Sequence, residues 1–156
     1  MSEARWYRSR YLWSAVAVLA VVACVITAWS IKERSEQRVR ANEISAIEML
    51  TQVCRDRSWM PAFAGRYQTS KPVHPPNLIA ILKGREAYRG YNFKLELGED
   101  GKSWSCTAAP VEPGVTGTRS FYVDQNSVVR QAPCRSKDDP PAGPDSPPAK
   151  SVKPRE

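Results

Sequence analysis

Residues 11–54 read YLWSAVAVLAVVACVITAWSIKERSEQRVRANEISAIEMLTQVC, and no Gly or Pro occurs anywhere before Pro61. Nothing in this stretch breaks a helix. Its first part, Tyr11–Ile31, is 21 residues without a charge. At about 1.5 Å rise per residue it covers roughly 30 Å, the thickness of a hydrocarbon core. Trp13 and Trp29 stand near its ends, Arg5, Arg8 and Arg10 precede it, and Lys32, Arg34, Arg38 and Arg40 follow. This arrangement predicts a transmembrane anchor over 11–31 behind a short N-terminal tail, 1–10. The second part turns one-sided: Val39, Ile44, Ile47, Leu50 and Cys54 recur at helical spacing, and Ala46 and Val53 widen the stripe. A stripe of that kind needs a facing surface.

The facing surface follows in the sequence. After a loop rich in Pro (58–77), Asn77 can cap a short helix, LIAILKG, stopped by Gly84. The period then changes to two. In YNFKLEL, Tyr91, Phe93, Leu95 and Leu97 alternate with Asn92, Lys94 and Glu96. A hairpin turn at Glu99–Lys102 leads to SWSCTAA, which places Trp104, Cys106 and Ala108 on one face; TRSFYVD and SVVRQ give a third and a fourth strand. One helix with an apolar stripe and one antiparallel sheet with an apolar face predict an α+β domain of two layers over 32–134, with Ile47 and Leu50 facing Phe93 and Trp104. Beyond it, 135–156 is dense in Pro and nearly empty of large apolar residues, which predicts a disordered tail.

Charge and cysteines narrow the function classes. The net charge of +7 is concentrated around the apolar run, where the headgroups of a lipid bilayer are the matching partner. No recognition-helix, zinc-finger or aromatic-basic pattern accompanies it, so nucleic acid is not indicated. A short N-terminal tail carrying three Arg resists translocation while a long domain crosses readily, which predicts N-terminus in and domain out. A second reading of the same segment takes Val21–Cys24, VVAC, as a lipoprotein cleavage box with Cys24 lipidated, although uncharged residues continue past it to Ile31.

No enzyme motif stands out. The chain has one His, His74 in a Pro-rich loop, and lacks GxSxG, HExxH and GxxxxGK[ST]. Glu96, Glu99 and Asp100 suit a solvated hairpin better than a carboxylate pair or a calcium site. Gly114 and Gly117 suit a turn better than a phosphate loop, since no helix starts after them. Arg119 and Arg130, on neighbouring strands, could pair on an anion, but solvated strand faces account for them. No catalytic residue, metal ligand, cofactor or small-molecule substrate is indicated.

Two stretches carry a resemblance. ANEISAI (41–47) resembles the ANEASAV-type segment behind the anchor of a group of bacterial pilin-like proteins, and PGVTGTRSFYVD (113–124) with VVR (128–130) resembles that group's PGxTGxRxFxxD…GxIR ending. With GYNFKLEL between them, the resemblance to type IV pilins and type II secretion pseudopilins covers roughly 38–131. It implies a pilin-like fold and a non-enzymatic, membrane-anchored protein of the bacterial inner membrane. The domain would lie in the periplasm or outside the cell and contact other envelope or pilin-like proteins. The lipoprotein reading puts the same domain to work as a binding module. Those families carry a leader ending in Gly and a Glu early in the helix; residues 11–31 contain neither. Cys106 falls where the resembling sequences tend to carry an apolar residue, so the resemblance implies a buried thiol there and a disulfide between Cys54 and Cys134. Cys54 with Cys106, and Cys106 with Cys134, are the competing pairs.

Overall fold

The computed structural model describes residues 3–55, 78–98 and 103–149, with side chains from Leu19 onward. The Pro-rich loop with His74, the cap at Asn77 and the hairpin turn at Glu99–Lys102 lie outside the described residues. The chain divides into two compact units, Met1–Gln37 and Arg38–Glu156. Helix α1 is Glu3–Arg55, and its last part, from Arg38, belongs to the second unit.

In the first unit the side chains of Leu19, Val21, Val22, Val25, Ile26, Trp29 and Ile31 are all exposed. The hydroxyls among them are satisfied within the helix, Thr27 donating to the Cys24 carbonyl and Ser30 to that of Ile26. The expectation of a membrane span is corrected here: among the described residues no helix is long and apolar enough to cross a membrane. The transmembrane anchor over 11–31, the signal-anchor reading and the single-pass inner-membrane location fall with it.

The second unit has the α+β architecture that the sequence predicts. Helix α2 (Leu78–Leu82) ends as Gly84 N–H donates to the Ile81 carbonyl and Arg85 N–H to that of Ala80, a Schellman pair. Strands β1 (Tyr91–Leu97), β2 (Trp104–Pro110), β3 (Arg119–Asp124) and β4 (Arg130–Pro133) form an antiparallel meander in sequence order. The register sets Phe93 opposite Ala108 and Ala108 opposite Phe121, so a small residue separates two large rings; Leu95, Cys106 and Val123 form the next row. This inner face packs with the α1 stripe into one core holding Ala46, Met49, Leu50, Val53, Phe93, Trp104 and Phe121.

Three details differ from the sequence expectation. The buried line of α1 runs through Glu43, Ala46, Leu50 and Val53, while Ile44, Ile47 and Cys54 flank it half-buried. Leu50, Phe93 and Trp104 are therefore core residues as expected, and Ile47 lies at the margin. β4 begins at Arg130 rather than Ser127, because Asp124 binds the Asn126 and Ser127 amides and Ser127 takes a φ of 62°. The tail is corrected over 135–149, where it lies along the sheet. Gln131 N–H donates to the Pro147 carbonyl, Ala149 N–H to that of Val129, and Ala142 is buried with its N–H on Ser120 Oγ. A proline lacks only the donor; its carbonyl still pairs an edge strand.

Candidate functional site

The densest polar cluster in the second unit joins the two stretches that carry the pilin-like resemblance. Glu43 sits in phase with Ala46 and Leu50, so the helix directs its carboxylate at the sheet. Arg119 sits in phase with Phe121 and Val123, so the strand directs its guanidinium at the helix. They meet. Glu43 Oε2 accepts from Arg119 Nε at 3.0 Å and Nη2 at 2.5 Å, while Oε1 accepts from the Thr118 amide at 3.0 Å and its hydroxyl at 2.8 Å. Arg119 Nη1 donates to Gln131 Oε1 at 2.7 Å, tying in β4, and the guanidinium carbon stands 5.6 Å from the centroid of the Phe121 ring. The Glu43 side chain is 4% exposed and that of Arg119 26%.

The loop between β2 and β3 is held at the same place. Asn42 Nδ2 donates to the Thr116 carbonyl at 3.0 Å, and Tyr91 Oη donates to the Arg119 carbonyl at 2.9 Å. Two glycines are required by close approach. A Cβ on Gly117 would stand 2.0 Å from Tyr91 Oη, and one on Gly90 (φ 75°) would stand 2.9 Å from Thr116 Cβ and 3.0 Å from Asn42 Nδ2. Gly114, at φ 84°, closes the turn by donating its N–H to the Gly117 carbonyl. The glycines thus serve a turn and a tight contact.

Electrostatics follow from this geometry. Burial by itself pushes the Glu43 carboxyl up, but the Arg119 hydrogen bonds and the Thr118 amide and hydroxyl outweigh it and hold the group below its ordinary range. Burial drives the Tyr91 hydroxyl well above the usual phenol range, with the Glu43 charge adding to it. Each carboxylate oxygen already accepts two hydrogen bonds, which leaves no position at Glu43 for a substrate. The cluster is a clasp that docks α1 on the sheet.

Arg119 and Arg130, expected on solvated strand faces, are corrected by the structure. Arg119 is on the inner face in the clasp, whereas Arg130 is on the outer face, donating to the Ser146 carbonyl. Their pairing on one anion is excluded by the sheet between them. Glu96 is solvated and paired with Lys94 at 2.6 Å. Among the described residues no group of three or more His, Cys, Asp or Glu is placed to hold a metal ion.

None of the four cysteines is bonded to another. Cys24 lies exposed within α1. The implied Cys54–Cys134 disulfide is corrected by position. Cys134 N–H donates to the Thr118 carbonyl, and Thr118 N–H donates to Glu43, which places Cys134 at the Glu43 level of the helix. Cys54 comes eleven residues later in α1, about 16 Å further along, against a limit of about 7 Å between bridged Cα atoms.

No family model, no curated protein and no solved structure matches the chain.

Proposed function

We propose that the chain is a non-enzymatic, pilin-like assembly protein that works through protein–protein contacts, with residues 19–31 of α1 as the contact surface. The observation that carries this reading is the exposure of Leu19, Val21, Val22, Val25, Ile26, Trp29 and Ile31 on one helical segment. A helix that is apolar on every side is normally covered, and contiguous exposed apolar surface marks an interaction site. A second support is the clasp at Glu43: it is built from the ANEISAI and PGVTGTR stretches, the two that carry the resemblance, and it holds the helix to the sheet without offering a substrate position. The partners are copies of this chain or other helix-bearing subunits of the same assembly.

Sedimentation velocity of the full chain across a concentration series tests this. The expected result is a reversible species of defined stoichiometry that Ile26→Glu with Trp29→Glu converts to monomer without changing the far-ultraviolet circular dichroism. A chain that stays monomeric at every concentration, or a variant that associates as before, refutes it.

A further inference from the structure

Three thiols in the second unit have no role in the clasp, and two of them share the other end of the core. Asn42 reaches Thr116 while Glu43 reaches Thr118 and Arg119, so α1 and β3 run in the same sense from the clasp. Along β3, Val123 is four residues beyond Arg119, about 13 Å at 3.3 Å per residue, and Val123 pairs with Cys106. Along α1, Cys54 is about 16 Å beyond Glu43. The two cysteines therefore come level. Cys106 is on the inner face of β2, fully buried in the core, and Cys54 packs half-buried against that same core from the helix.

We propose that Cys54 and Cys106 are a redox pair that closes to a disulfide between α1 and β2 when the chain meets an oxidised low-molecular-weight thiol such as oxidised glutathione. Cys54 is the more accessible and reacts first. Its thiolate attacks one glutathione sulfur, forming a Cys54–glutathione disulfide and releasing one glutathione as the thiol. The Cys106 thiolate then attacks Cys54 Sγ, the bond to glutathione breaks, and a second glutathione leaves; two protein thiols are oxidised and one glutathione disulfide is reduced. Burial pushes the Cys106 thiol up, with Cys54 adding to the effect, so the second step is the slow one and speeds up with rising pH. The bond forms when the Cα atoms of the two residues stand within about 7 Å of each other.

The test uses the full chain, equilibrated with oxidised and reduced glutathione, alkylated and digested with trypsin without reduction. The expected product links peptide 41–55 to peptide 103–119. It persists in Cys134→Ser and disappears in Cys54→Ser. Oxidation raises the thermal midpoint by roughly 10 to 20 °C, the effect of closing a loop of this length on a small domain. A link between 41–55 and 131–135, or alkylation of Cys54 and Cys106 with no link between them under oxidising conditions, overturns the proposal.

Discussion

Replacing Glu43 with Ala should be among the costliest single substitutions on the surface of α1 that faces the sheet. The change removes the acceptor for two Arg119 nitrogens and for the Thr118 amide and hydroxyl at once. Breaking a buried pair from one side typically costs about 3 to 5 kcal/mol, because the remaining charge stays desolvated. The lower end applies, since Arg119 is 26% exposed and keeps Gln131, and the exposed Thr118 reaches water. About 3 kcal/mol corresponds to a fall in melting temperature of roughly 10 to 20 °C for a domain of this size. Thermal and urea denaturation of the wild type and Glu43→Ala measure it. A cycle of Glu43→Leu, Arg119→Met and the double variant separates the pair from its surroundings, with the double variant recovering much of the loss. The exposed Lys94–Glu96 pair is the control, and Lys94→Ala should cost under about 1 kcal/mol. A Glu43→Ala shift below about 4 °C, or single losses that add within about 0.5 kcal/mol, refutes the clasp.

Further outcomes follow from the same contacts. The Glu43 carboxyl is lower in the folded chain than its unfolded value of 4.5, so its contribution is complete above that pH and is lost as pH falls through the folded value. Acid titration of stability should show Glu43→Gln with a shallower fall in that window; Asp139, held low by the Arg135 and Ser136 amides, leaves a residual slope. Gly117→Ala should destabilise by about 1 to 3 kcal/mol in chemical denaturation, because its Cβ would overlap Tyr91 Oη. Leu50→Ala should cost about 2 to 5 kcal/mol in the same assay and Ile47→Ala clearly less, since Leu50 is fully buried and Ile47 lies at the margin.

The layered fold was legible because its elements announce themselves locally. YNFKLEL alternates cleanly and emerges with Tyr91, Phe93 and Leu95 buried and Asn92, Lys94 and Glu96 exposed. The clasp was not legible, because a Glu in a helix and an Arg in a strand both read as solvated when each element is taken alone. The available signal lay in phase: Glu43 is in register with Ala46 and Leu50, and Arg119 with Phe121 and Val123, so opposite charges stood on two apolar surfaces that had to meet. The tail failed for a different reason. Composition records the absence of a core within 135–149 but not that Ser120 and Gln131 lie where backbone groups of the tail can pair with them. The fourth strand starts later than periodicity suggests because Asp124 builds a turn, its carboxylate accepting from the Asn126 amide and its carbonyl from that of the left-handed Ser127, contacts that periodicity does not carry. The span over 11–31 rests on length and hydropathy alone, and among the described residues no helix is long and apolar enough to cross a membrane.

The exposed thiol Cys24 lies within the apolar segment of α1 and reports whether that segment is a protein-contact surface. The rate of Cys24 alkylation by a maleimide, read by mass spectrometry across a dilution series of the full chain, reports whether that surface is covered. The expected result is slow alkylation at high concentration and an acceleration on dilution that Ile26→Glu with Trp29→Glu makes independent of concentration. An alkylation rate in the wild type that is fast and unchanged across the series contradicts it.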